Sequence, residues 1–167
     1  GEGLGQAIEE TLALEGLKGV ILTSGHKDFC VGGDIDAIFT ARDAGEVVEG
    51  CRRLNGLFRR LETSGKPVVA ALNGSALGGG FEIALAAEFV VAAEHAEFFL
   101  PEAGLGIIPD TGAVRLPRIL PPAVATEVLI GGRRLDAREA ERWGLVNRVV
   151  PVADLRAAAL ELAGRIS

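Results

Sequence analysis

A chain of 167 residues, 49% apolar and 24% charged, is long enough for one domain with its own core and too apolar to be disordered. Its net charge of −6, with Lys and Arg scattered along it, argues against a nucleic-acid binder, and no run approaches the ~20 uninterrupted apolar residues of a membrane helix. Two cysteines, Cys30 and Cys51, cannot form the disulfide framework of a small secreted domain, so a reduced, cytoplasmic setting is expected.

Leu4, Ile8, Leu12 and Leu14 recur near helical spacing and predict an amphipathic helix over 3–15. The opening residues lack Met and lack a signal-peptide profile, as expected of an excerpt from a longer protein. Val20-Ile21-Leu22 predicts a buried strand, followed by a glycine-containing loop over 27–34. Residues 45–63 read as a helix through Val47, Val48, Cys51, Leu54, Leu57, Phe58 and Leu61, which puts Cys51 in the core. Arg52, Arg53, Arg59 and Arg60 read as a solvated face of that helix. Residues 67–72 form a second buried strand, and residues 73–80 a turn that opens a helix reaching about Ala87.

Residues 89–92 and 97–99 read as short strands. Beyond Asp110 the pattern is helical in pieces, cut by Pro117, by Pro121-Pro122 and by Gly131-Gly132. Asp136 is placed as the N-cap of a helix ending at Trp143-Gly144. A strand over 146–150 and a helical tail from Val152 complete the chain. Alternating strands and helices imply an α/β domain with largely parallel pairing.

Gly78-Gly79-Gly80 lies directly after a buried strand and before a helix. Glycines cost backbone entropy there, roughly 1 kcal/mol each against alanine, so a bare backbone serves some purpose. One purpose is to let a ligand oxygen reach free amides at a helix start. Another is tight helix–sheet packing, and the two remain open. A phosphate cradle fits less well, because no Lys-Ser or Lys-Thr follows. Val31-Gly32-Gly33-Asp34 forms a second such loop, able to supply a second amide from Gly33 to an oxyanion hole, or to be only a turn.

Glu82 stands among Phe81, Ile83, Ala84 and Leu85; Glu102 stands in Leu100-Pro101-Glu102-Ala103-Gly104-Leu105. Carboxyls in apolar surroundings have raised pKa values suited to acid–base work near neutral pH, whereas for either one taken alone the surface or capping reading is favoured. Asp110 is read as a helix cap, with an accessory influence on the glutamates as the alternative. His26 with Cys30 lacks an orienting partner for thiol catalysis. His95 is placed in an exposed turn, and no Cys/His cluster has metal spacing.

In combination and in order, four segments resemble the enoyl-CoA hydratase/isomerase (crotonase) superfamily over essentially the whole chain. They are Phe29-Cys30-Val31-Gly32-Gly33-Asp34-Ile35, the run 66–82 ending in Gly78-Gly79-Gly80-Phe81-Glu82, the run 100–110 around Pro101-Glu102 and Pro109-Asp110, and Ala140-Glu141-Arg142-Trp143-Gly144-Leu145-Val146-Asn147. From about Phe98 the chain is most similar to the carnitinyl-CoA dehydratase (crotonobetainyl-CoA hydratase) branch, notably in Val114-Arg115-Leu116-Pro117-Arg118-Ile119-Leu120-Pro121-Pro122.

The resemblance implies a spiral of repeated ββα units and a thioester carbonyl held by the amides of Gly33 and Gly79. It implies water activation at C3 by Glu82 and proton exchange at C2 by Glu102. It places the adenine end of CoA near Val31, Gly33 and Ile35. The substrate would be an acyl-CoA, with no cofactor beyond the coenzyme A it carries, no nucleic acid and no membrane. Two glutamates favour a hydro-lyase over the family's isomerases, hydrolases and decarboxylases, or over a non-catalytic CoA-binding subunit. A homotrimer or dimer of trimers is expected of the full-length protein. Residues 1–167 would then be the core domain without the family's first strands and C-terminal helices. Gly112-Ala113 replaces a pair of glycines in the family pattern, which suggests a tighter turn.

Overall fold

The computed structural model describes residues 2–33 and 40–166. In chain order the elements are α1 (Glu2–Leu12), β1 (Val20–Leu22), α2 (Ala44–Glu62), β2 (Val68–Leu72), β3 (Ala76–Leu77), α3 (Gly79–Leu85), β4 (Phe89–Ala93) and β5 (Glu97–Phe99). A single 3-10 turn (Glu102–Leu105) leads to α4 (Gly112–Ile119), α5 (Pro122–Leu129), β6 (Leu135–Asp136), α6 (Ala137–Arg142), β7 (Arg148–Val150), a second 3-10 turn (Val152–Asp154) and α7 (Leu155–Ile166).

Two sheets organise the molecule. The larger is parallel throughout in the order β1-β2-β4-β7, and the smaller runs β3-β5-β6, parallel at β3–β5 and antiparallel at β5–β6. Strand β2 is buried along its whole length, as a central parallel strand covered on both faces should be. Successive side chains point to opposite faces. Ala70 and Leu72 enter a core with Phe81, Phe98, Leu100 and Leu116, whereas Val69 and Ala71 pack under α7 against Leu155, Ala158 and Leu162. A third cluster joins Ile8, Phe58, Leu61 and Val68 between α1, α2 and β2. Phe81 and Phe98 meet edge to face with ring centroids 5.2 Å apart, the arrangement the ring quadrupole favours.

Several expectations are corrected here. Helix α1 stops at Leu12; Leu14 lies beyond it and is 61% exposed. Ala76-Leu77, expected to be turn, is a strand, because its partner Phe98-Phe99 comes from a segment twenty residues on. Pro117 does not cut a helix; it lies inside α4 with its ring on the exposed side. Asp110 does not cap α4. Thr111 occupies the N-cap position without a side-chain cap bond, and Asp110 instead accepts a hydrogen bond from Asn55 Nδ2 at 2.9 Å. The Asp136 cap is present: its Oδ1 accepts from the Glu139 amide at 2.7 Å. Among the described residues, no helix is long and apolar enough to cross a membrane.

Candidate active site

Backbone pairing at one edge of the small sheet assembles the glycine loops. Cys30 forms an isolated parallel bridge with Ala76, Leu77 donates its amide to the Cys30 carbonyl at 2.9 Å, and Gly78 donates to the Phe99 carbonyl at 2.9 Å. These bonds draw the 30–33 loop, the glycine triplet and the Pro101-Glu102 turn into one place.

Each glycine of the triplet has its own reason. A Cβ on Gly80 would stand 2.1 Å from the Cys30 carbonyl oxygen, so Gly80 serves packing. Gly78 has φ +51°, and a Cβ there would stand 2.8 Å from Glu102 Oε1, so conformation and space both call for glycine. Gly79 differs. Its nearest neighbours would be Gly33 N at 3.7 Å and Gly32 Cα at 4.0 Å, which is ordinary contact across a gap. Gly79 is the first residue of α3, and its N–H has no intrahelical partner. Among the described residues, neither the Gly33 nor the Gly79 amide has an acceptor. The packing reading therefore holds at Gly80 and Gly78, whereas Gly79 leaves an amide without an acceptor among the described residues.

Glu82 is 3% exposed, set in the first turn of α3. Its Oε1 accepts the Gly112 amide at 2.7 Å. Burial raises its pKa above the ordinary value of 4.5. The amides of Gly112 and Thr111 pull it back down, and the Asp110 charge pushes it further up. The Thr111 hydroxyl also lies close enough to favour the ionised form, yet its geometry falls short of a hydrogen bond, so Thr111 Oγ1 is buried without a partner. Gly112 opens α4, and its amide is the one that Glu82 holds.

Glu102 begins the first 3-10 turn and is half-buried. Burial raises its pKa, and the Glu82 charge adds to the rise. Its Oε2 is buried with no hydrogen-bond partner. Two acids with raised pKa values, close enough to repel one another, can take and give protons near neutral pH.

A cleft of about 900 Å³ runs past these groups, lined by Gly33, Gly79, Glu82 and Glu102 together with Val31, Gly32, Gly78 and Pro101. Its opposite wall comes from α2, including Val47, Cys51 and Leu54, and its rim from Leu105, Ile107 and Ile108. The structure therefore brings together Val31, Gly33, Gly79, Glu82, Glu102 and Asp110. Ile35, and Asp34 of the same loop, lie outside the described residues.

Cys51 requires correction. It is not a core residue but a half-buried thiol on the cleft wall, near enough to Asp110 and Glu82 that burial first, and then their charges, raise its pKa. The apolar face of α2 was the available signal: of seven apolar positions only Phe58 and Leu61 are buried, and Val47, Cys51 and Leu54 line the cleft. The arginines of α2 also divide. Arg60 pairs with Glu9 through Nη2–Oε2 at 2.5 Å, whereas Arg53 lines the cleft. A second recess of about 480 Å³ adjoins at Asp110 and includes Asn55, Arg59, Thr111 and Arg115. Sequence reasoning missed Asn55 and Thr111, which carry no motif.

Comparison with known proteins adds the lineage of this geometry. A family model described as enoyl-CoA hydratase/isomerase matches residues 2–167. A carnitinyl-CoA dehydratase of Proteus mirabilis is 48% identical over 149 residues, which is 89% of this chain and 56% of that protein. Its counterpart in Escherichia coli is 50% identical over 150 residues, again 56% of that protein. A crystal structure of an enoyl-CoA hydratase from Bacillus anthracis superposes with a TM-score of 0.90 at 37% identity, covering 99% of this chain and 64% of that one. The chain spans about half the length of the curated relatives it matches.

Proposed function

The chain belongs to the enoyl-CoA hydratase/isomerase family and has its crotonase-type α/β fold, and on that premise we propose that it adds or removes water across the C2–C3 bond of an acyl-CoA thioester. Carnitinyl-CoA and crotonobetainyl-CoA are its substrates in this reading, by analogy with relatives of 48–50% identity. One observation supports the assignment: Gly33 and Gly79, whose amides have no acceptor among the described residues, line the same cleft as Glu82 and Glu102, and the Gly79 Cβ position falls 3.7 Å from Gly33 N.

The chemistry follows from what each group can do. The thioester oxygen accepts from the Gly33 and Gly79 amides. As water attacks C3, electron density moves through C2 to that oxygen, and fixed amide dipoles stabilise the enolate in the transition state more than in the ground state. Glu82 takes the proton from the attacking water, and Glu102 delivers a proton to C2. In the reverse direction Glu102 removes the C2 proton and Glu82 protonates the departing hydroxyl. Glu82 is held for this by the Gly112 amide, whereas Glu102 keeps an uncommitted oxygen for transfer. CoA would enter along Val31 and Gly33 on the cleft's outer side. Homotrimer assembly of the full-length protein and a cytoplasmic setting complete the reading, the latter supported by two cysteines that are both free thiols.

The test is loss of conjugated-thioester absorbance on incubating full-length protein with crotonyl-CoA or crotonobetainyl-CoA. Glu82→Gln and Glu102→Gln should each lower kcat by about 10²- to 10⁴-fold while leaving circular dichroism intact. Unchanged rates in both variants would remove the two glutamates from the mechanism. Mass analysis of the product decides the reaction class, because hydration adds one water, whereas isomerisation adds nothing and hydrolysis frees CoA.

A further inference from the structure

The proposed reaction uses Glu82 and Glu102 and leaves a third cleft carboxylate, Asp110, without a role. Asp110 lies two residues before the amide that holds Glu82 and is itself exposed, at the junction of the cleft and the second recess. One of its oxygens accepts from Asn55 Nδ2. Among the described residues no Lys, Arg or His lies within ion-pair distance of it, although Arg59, Arg115 and Arg118 line the neighbouring recess, where Arg115 is paired with Glu62. The described cleft lining carries Glu46, Glu49, Glu82, Glu102 and Asp110 against Arg53; Glu46 is paired with Arg42 and Glu49 with Arg52, which leaves Glu82, Glu102 and Asp110 without an ion pair among the described residues.

This arrangement works against the reaction when the cleft is empty. Asp110 repels the ionised form of Glu82, the form needed to accept a proton from water. A neutral acyl chain leaves that repulsion in place. A chain with a fixed positive charge next to C3 removes it and gains an ion pair at the same time. In a carnitinyl or crotonobetainyl group, the quaternary nitrogen is bonded to C4, two bonds beyond the carbon that Glu82 must serve. Such a cation donates no hydrogen bonds and is recognised by charge and apolar contact, which Asp110 supplies together with the half-buried Cys51 and Leu54.

We propose that Asp110, braced by Asn55, is the specificity-determining counter-charge for a quaternary ammonium group on C4 of the acyl chain. The proposal rests on the acyl-CoA reading above and deepens it. Binding of the cation does two things at one carboxylate, since it anchors the acyl head and relieves the repulsion on the neighbouring base.

The experiment measures Kd by calorimetry and kcat/KM for crotonobetainyl-CoA and crotonyl-CoA, equal in chain length and differing in the cation. The proteins are the full-length chain, Asp110→Asn and Asp110→Glu. Asp110→Asn should weaken the cationic thioester by about 10- to 100-fold more than the neutral one. Asp110→Glu, which keeps the charge, should restore most of the preference. The acid limb of the kcat pH profile for crotonobetainyl-CoA should also move when Asp110 is neutralised. Equal losses for both thioesters would make Asp110 merely structural, and a preference unchanged in Asp110→Asn would overturn the proposal outright. Failure of the wild-type chain to bind either thioester would instead overturn the acyl-CoA reading on which it stands.

Discussion

The amide of Gly112 donates to Oε1 of Glu82 at 2.7 Å across thirty residues of sequence, and through that one bond a buried acid in α3 caps the start of α4. Thr111, at the N-cap position, offers no side-chain cap of its own. Orphan amides at a helix start need an acceptor, and a buried carboxylate needs donors. Each solves the other's problem, which fixes the Glu82 side chain where the cleft requires it.

Gly79→Ala and Gly80→Ala should separate catalysis from folding. An added methyl at Gly79 meets nothing closer than 3.7 Å, so the protein should stay folded while the methyl intrudes on the proposed thioester oxygen. Turnover should fall about 10²- to 10³-fold with a stability change below about 1 kcal/mol. At Gly80 the same methyl meets the Cys30 carbonyl at 2.1 Å, and destabilisation by about 3 kcal/mol or more should follow. Paired denaturant melts and rate assays check both, and a fully active Gly79→Ala protein would deny the gap its proposed ligand.

Stability should depend on pH through Glu82 with a definite sign. Burial raises its folded-state pKa above 4.5. A carboxyl raised in this way favours the fold fully below its unfolded value, and that contribution is lost as pH rises through the folded value. Relative to Glu82→Gln, the wild type should therefore lose Tm as pH rises from 4.5 through the raised folded-state value. Calorimetric scans across that range check it, and a constant difference between the two proteins would contradict the burial-driven shift.

Rate should follow the same titration in the hydration direction. Water attack needs ionised Glu82, so the acid limb of kcat should lie above the ordinary glutamate value of 4.5. A limb at or below that value, measured on crotonyl-CoA, would contradict Glu82 as the base.

Phe98→Ala should cost about 3–5 kcal/mol. Phe98 is fully buried, packs edge to face on Phe81, and anchors the β3–β5 pairing that positions Gly78 and the Pro101-Glu102 turn. Loss of activity should accompany the loss of stability. Asp136→Ala offers a contrast, costing about 1 kcal/mol through its lost helix cap and leaving turnover intact, because neither Asp136 nor α6 contributes to the cleft lining.

The sequence by itself determined the parallel strands, through short branched apolar runs, and marked Glu82 and Glu102 as acids set among apolar residues. It also determined that the two glycine loops need bare backbone. Tertiary structure decided which glycine needs it for what: Gly80 for the Cys30 carbonyl and Gly78 for its φ and the Glu102 carboxylate, while Gly79 has room for a methyl. It also turned Ala76-Leu77 from turn into strand, Cys51 from core into cleft wall, and Asp110 from cap into a cleft carboxylate that accepts from Asn55. The physical reason is the same each time. Periodicity and propensity report a residue's near neighbours along the chain, whereas these roles are set by partners twenty to sixty positions away, which only packing brings within bonding distance.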